Sequence, residues 1–372
     1  MYIRHFRHRW PQIRRRPSIR AALAWSLITL AILVPFWSLS SGAVSIPSER
    51  ISQILGDRLH ELTGLGSPSG LDYSQREVAR DQTLILDIRL PRILLGALIG
   101  LGLGAAGAAL QSLFRTPYAD PSLIGVTGGA AFGAVTAISA GWTLGPLFGL
   151  ADGGEVAQVL AAFVFSLAAT ASVYRLAAAG PGQNEGPGLL LIGLALNSLA
   201  AAYVGLVSFT ADEAAVGDIT FWTLGDLSGA FWRDVHLLAP LMFIGLGGLL
   251  LSSRALNLLA LGEAEARYLG VEVGRLRAGV MALAALMVGG GVALGGIIAF
   301  VGLMVPNAMR WLFGDQQTWL IPSSGLAGAV LVMAADWLAR SIAIPSEIPI
   351  GILTSLLGGS IFLGLLLARG GR

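Results

Sequence analysis

The sequence predicts an all-α, polytopic membrane protein with about ten transmembrane helices, one of them short or broken, and with both termini in the cytoplasm. Three observations carry this reading. Hydrophobic residues make up 55% of the chain and charged residues 12%, whereas a soluble domain carries about 25% charge. Uncharged apolar runs, most of them close to the roughly 20 residues a spanning helix needs, recur along the whole length. Arginine also concentrates in alternate connections, as the positive-inside rule requires.

The elements follow in order. Residues 1–20 form a basic tail that includes Arg4, Arg7, Arg9, Arg14, Arg15, Arg16 and Arg20. It precedes the apolar run 21–48. A cleaved signal peptide ending at Ser41-Gly42-Ala43 is the alternative, but the run is longer than a signal core and many spans follow it. It reads as an uncleaved first helix. Further uncharged runs lie at 93–114, 121–151, 156–174, 186–211, 235–253, 278–309, 316–335 and 348–368. One helix per run would place the chain ends on opposite faces, yet Arg369 and Arg372 favour the same side as the basic tail. The longest run, 278–309, contains Gly289-Gly290-Gly291, Gly295-Gly296, Gly302 and Pro306. It divides into a full span near 278–298 and a short, broken one near 302–313, a break that is tolerated where protein satisfies the freed backbone. Residues 21–372 thus form one transmembrane domain.

Loop charges agree. Arg115, Arg175, Arg254, Arg267, Arg275, Arg277 and Arg310 fall on the inner side. The outer loop 212–234 holds Asp212, Glu213, Asp218, Asp226 and Asp234 against Arg233 alone. The outer loop 49–92 mixes six arginines with seven acids and includes a short amphipathic helix, Ile51 to Leu62. The inner loop 255–277 is the polar segment that organises the rest. In it, Gly262 and Gly270 bracket a helix-prone stretch, Glu263 to Leu269, and glycine serves well at helix ends. Gly100, Gly104 and Gly107 give one span a small-residue face for close helix approach.

Absences narrow the function. There is no cysteine, which excludes disulfides and thiolate metal sites. There is no lysine either, which excludes a Walker A loop, so any ATP must be bound by another chain. The apolar runs hold almost no ionisable residue. That argues against an ion-coupled secondary transporter, against a path for bare metal ions, and against a membrane-embedded enzyme.

Residues 89–134, RLPRILLGALIGLGLGAAGAALQSLFRTPYADPSLIGVTGGAAFGA, resemble the permeases of type II ABC importers for iron–siderophores, haem and cobalamin. The resemblance continues through FWTLGDLSG (221–229), ALGEAEARYLGV (260–271), GGIIAFVGLMVPNAMRWLFGD (295–315) and ADWLARSIAIPSEIPIGILTSLLGGSIFLGLLL (335–367). It implies a permease subunit that works as a homodimer by alternating access. Two P-loop ATPase subunits would hold ATP and magnesium at the cytoplasmic face, and a periplasmic or lipid-anchored substrate-binding protein would dock outside. The chain itself would carry no cofactor, no metal and no catalytic residue. Its surroundings would be the lipid of a bacterial inner membrane, with no nucleic acid.

Residue by residue, the resemblance assigns Gly262, Glu263, Ala266, Arg267, Leu269 and Gly270 to ATPase coupling, and Arg89, Arg92 and Arg340 to binding-protein docking. Thr116 and Tyr118 take the place of the cytoplasmic gate, where relatives carry Asn and an aliphatic residue. Asn307 stands where relatives commonly carry His and cannot titrate near neutral pH. Glu347 is expected to cap the last span, and Asp336 to be a packing and hydrogen-bonding residue. The favoured cargo is a ferric siderophore, with haem or cobalamin as the alternative.

Overall fold

The computed structural model describes residues 17–42, 44, 46–63, 75–143, 153–179, 186–343 and 346–370. All regular elements among them are helical. They are α1 (Pro17–Ser40), α2 (Ser48–Thr63), α3 (Gln75–Gln82), a π-helical segment Thr83–Arg89, α4 (Leu90–Leu113), a 3-10 turn Pro121–Ile124, and α5 (Val126–Ser139). Next come α6 (Gly153–Ala179), α7 (Gly186–Thr210), α8 (Glu213–Leu224), α9 (Trp232–Leu259), the short α10 (Glu263–Tyr268), α11 (Val273–Gly295), α12 (Val301–Phe313), α13 (Gln317–Ile342) and α14 (Ile350–Gly370). The basic tail up to residue 16 and residues 371–372 lie outside the described residues.

Among the described residues, six helical stretches are long and apolar enough to cross a membrane, the first being Ala79–Leu113. Ala24–Ser40, Val126–Ser139 and Ile350–Gly364 are shorter apolar stretches. The chain is therefore a multi-pass membrane protein. The run 278–309 does divide: α11 ends at Gly295 and α12 begins at Val301. Phe300, between them, holds the left-handed conformation at φ 66°, which is strained for a bulky aromatic residue.

α4 is central, packed against α13, α11, α9 and α12. Lipid supplies no hydrophobic drive for helix association, so close backbone approach must do that work. The glycine face of α4 provides it. A Cβ on Gly104 would sit 2.1 Å from the Ser324 carbonyl oxygen of α13, and one on Gly107 would sit 2.0 Å from that of Gly302 in α12.

One proline explains a local feature of this core. Pro91 has no N–H, so the Leu86 carbonyl lacks its π-helical donor, while the Leu90 N–H bonds to Ile85. The Trp232 indole of α9 takes up the Leu86 carbonyl at 2.8 Å. Residues 75–92, assigned to an outer loop by their charge, are helical and run into α4. The buried charge of Asp81 is tolerated because it is paired with Arg50 of α2. α2 itself sets Ile51 and Ile54 against Leu39, Ile85 and Ile93. At the other end of α4, α5 starts inside the bundle. Asn197 of α7 satisfies that start, accepting from the Gly128 N–H at 3.2 Å and donating to the Ser122 carbonyl at 2.8 Å.

Candidate functional site

The α10 segment is built by its two glycines. Gly262 sits at φ 140° and Gly270 at φ 86°, and both conformations strain any residue with a Cβ. Between them Ala266 is fully buried, and its carbonyl accepts from the Val271 N–H at 3.0 Å. Glu263 turns back toward the bundle. It accepts from Arg267, one turn on, at 2.9 Å, and lies 3.6 Å from Arg277 of α11. A glutamate placed four residues before its arginine is the favourable order on a helix. Tyr268 is 92% exposed and Leu269 58%, and Leu261 is exposed beside them. So the expected coupling residues do come together in one short segment, but in two roles. Gly262, Glu263, Ala266 and Gly270 hold its shape and its attachment, while Arg267 and Leu269 face outward with Tyr268.

The turn after α4 lies at the same end of the bundle. Arg115 has φ 52°, and the Thr116 N–H donates to the Gln111 carbonyl at 3.1 Å. The Thr116 hydroxyl accepts from the Tyr118 N–H at 3.4 Å. Tyr118 is exposed and meets Phe362 of α14 edge-on, with ring centroids 6.0 Å apart. An aromatic contact therefore ties this turn to the last span.

At the opposite end, Arg89, Arg92 and Arg340 gather near the end of α1, but none is free at the surface. They are 6%, 7% and 8% exposed. Arg89 donates to the Leu39 and Val44 carbonyls, and Arg340 to the carbonyl and hydroxyl of Ser38. Both thereby cap the last turn of α1, a usual role for arginine at a helix C-terminus. Arg92 pairs with Asp336 at 2.8 Å and with Glu347 at 2.8 Å. Arg340 pairs with the second oxygen of Asp336 at 3.1 Å. Docking by these arginines would require bonds inside the chain to be given up. Asp336 is the packing and hydrogen-bonding residue expected. Glu347, suggested as a cap for the last span, accepts from Arg92, and its side chain is 44% exposed.

A model described as the FecCD transport family matches residues 30–369. The chain belongs to that family. It is 40% identical to the hemin transport system permease protein HmuU of Yersinia pestis, over 76% of this chain and 83% of that one. It is 38% identical to the cobalamin import system permease protein BtuC of Halobacterium salinarum, over 77% and 74%. A solved structure described as an inward-facing conformation of a metal-chelate type ABC transporter matches with a TM-score of 0.77 at 30% identity, covering 94% of this chain and 99% of that one. As a FecCD permease the chain is a transport subunit rather than an enzyme. No group of three or more His, Asp or Glu residues able to hold a metal ion occurs among the described residues.

Sequence reasoning on this FecCD chain did not show how several polar residues pair. Arg277 was counted only as a loop charge, yet it is the attachment point of α10. Gln111 was not singled out; it and Asn307 are buried behind the turn at 115–121, joined through the part-buried Arg310. The available signal was polar side chains at the ends of apolar runs, next to Pro306.

Proposed function

We propose that this FecCD permease forms a homodimer that imports a bulky metal chelate across a bacterial inner membrane, driven by ATP on separate subunits. Ferric siderophore is the favoured cargo, with haem or cobalamin as the alternative. The observation that carries the reading is the α10 segment. It is a six-residue helix fixed by two left-handed glycines, with Ala266 buried inward and Tyr268 and Leu269 exposed outward. Exposed apolar side chains on a rigid polar loop suit a partner that encloses them. That partner is a P-loop ATPase with its own ATP and magnesium, so this chain needs no cofactor. The six long stretches, the three shorter ones and α12 make the ten crossings proposed, with both termini and α10 in the cytoplasm.

Thr116 and Tyr118 are then the cytoplasmic gate. A second copy set against α14 would bring two Tyr118 rings toward each other, and alternating access would part them. The substrate-binding protein delivers cargo at the end bearing Arg89, Arg92 and Arg340. A carboxylate of that protein would reach Arg92 by replacing Glu347, its more exposed partner.

The test is uptake of labelled ferric siderophores, haem and cobalamin by cells with and without the gene, together with co-purification of an ATPase. Loss of uptake of one chelate and recovery of a P-loop ATPase supports the reading. Unchanged uptake of all three, with no ATPase recovered, refutes it.

A further inference from the structure

Pro306 interrupts α12. Lacking an N–H, it leaves the Gly302 carbonyl without its helical donor. The Gln111 amide of α4 fills the gap, donating to the Leu303 carbonyl at 3.1 Å and reaching the Gly302 carbonyl at 3.4 Å. The Gln111 carbonyl oxygen accepts from Arg310 at 2.9 Å. Arg310 also reaches the Asn307 side-chain oxygen at 3.4 Å and pairs with Asp315 at 3.0 Å. The Asn307 amide donates to two acceptors: the Leu303 carbonyl one turn back, at 2.8 Å, and the Pro117 carbonyl, at 2.7 Å. Gln111 and Asn307 are both buried.

Every bond in this set but one stays within α4, α12 and the residues just after α12. The exception is Asn307 to Pro117. It is a side-chain tie from the broken span to the turn whose next residue, Tyr118, meets Phe362. Pro117 supplies no N–H, so its carbonyl is the one hydrogen-bonding group its backbone offers. In a buried setting an amide donor on that carbonyl fixes the turn's height against α12.

We propose that Asn307 is a positioning residue for the gate. Its amide holds the Pro117 carbonyl, and Gln111 and Arg310 fix the orientation of that amide. Movement of α12 then moves Tyr118. This rests on the reading of 115–121 as the cytoplasmic gate.

The lack of cysteine makes the test clean, because Thr116→Cys places a single thiol in the turn. The rate of maleimide modification is measured in the reconstituted permease–ATPase complex, with and without ATP. It is measured again with Asn307→Leu, Asn307→Asp or Asn307→His added, each checked by thermal unfolding in detergent. Asp keeps the size and an acceptor for Arg310 but loses the donor, whereas His keeps an N–H donor. The expected result is faster labelling in the Leu and Asp variants, by roughly tenfold, the worth of one buried hydrogen bond, with recovery toward the parent rate in the His variant. Should the Leu variant not fold, the near-isosteric Asp variant carries the comparison. If ATP changes the parent's labelling but Leu, Asp and His variants all label at the parent rate, the positioning role is overturned and the gate reading survives. If ATP leaves the parent's labelling unchanged, the gate reading itself fails and takes this proposal with it.

Discussion

Replacing Asp336 by asparagine separates a structural ionic cluster from a docking surface. Asp336 is 2% exposed and sits between two guanidinium groups, at 2.8 Å from Arg92 and 3.1 Å from Arg340. With its charge removed, Arg92 and Arg340 face each other across a neutral amide, and only the half-exposed Glu347 remains to offset them. Breaking a buried ion pair by removing one partner costs about 3–5 kcal/mol, because the other charge stays buried. Asparagine still accepts one hydrogen bond, and the cluster lies near helix ends, so the lower figure, about 3 kcal/mol, applies.

The assay is thermal or denaturant unfolding of the purified permease in detergent, with Asp336→Asn, Arg340→Met and the double variant. Arg340 also caps α1, so its own loss costs stability. The two substitutions should nonetheless combine to less than their sum by more than about 0.5 kcal/mol, the limit for independent sites. A change below about 1 kcal/mol for Asp336→Asn, or strict additivity in the double variant, would refute the buried-cluster argument. Loss of binding-protein affinity at unchanged stability would point to docking instead.

Four further outcomes are expected. Glu263→Arg and Arg277→Glu should each lower ATP-driven uptake, and the swapped pair should recover part of it, with a coupling of up to about 1 kcal/mol for such a partly exposed pair; a double-mutant cycle in proteoliposomes checks this. Tyr268→Ser with Leu269→Ser should abolish ATPase co-purification while changing stability by no more than about 0.5 kcal/mol each, since exposed sites tolerate substitution. Gly104→Val should prevent folding or cost about 3 kcal/mol or more, because the added Cβ meets the Ser324 carbonyl oxygen at 2.1 Å; Gly56→Val, with open space around it, is the control. Burial pushes the Asp120 carboxyl above its ordinary value, against the opposing effect of its bonds from Ser122. Its contribution to stability is therefore full below about pH 4, the unfolded value, and is lost as pH rises through the raised folded value. Asp120→Asn should flatten that dependence in pH-resolved unfolding.

The broken span 278–309 was legible because its glycines and Pro306 interrupt an overlong apolar run. The short α10 helix was legible because Gly262 and Gly270 bracket a polar stretch. Charge misled the reading elsewhere. Residues 75–92 look like a loop in composition, yet Asp81 is paired with Arg50 and the Leu86 carbonyl with Trp232, so the helix continues. Partners distant in sequence supplied what composition could not show. The same holds for Arg89, Arg92 and Arg340. Their proximity could be inferred, but their burial depends on the end of α1, which is distant in sequence from all three, and on Asp336, which is one turn from Arg340 but far from Arg92.

These features place the working parts on one continuous track. Glu263 on α10 meets Arg277 at the start of α11. α11 ends at Gly295, and the crossing from 296 to 300 carries it into α12 through the strained Phe300. A Cβ on Gly358 of α14 would come within 2.3 Å of the Phe300 Cβ, so α14 closes tightly over that joint. α12 then reaches the turn after α4 through Asn307, and Tyr118 returns to α14 at Phe362. The track therefore begins on the α10 segment and ends on α14, and α14 touches it twice, at the strained joint and at Tyr118. A push on α10 that rotates α11 must either strain Phe300 further or relieve it, because the packed helices on either side do not deform continuously. Gly358 packs on Phe300 and Phe362 meets Tyr118, so a tilt of α12 against a fixed α14 would strain both contacts, and the proposed opening at Tyr118 is expected to carry α12 and α14 together.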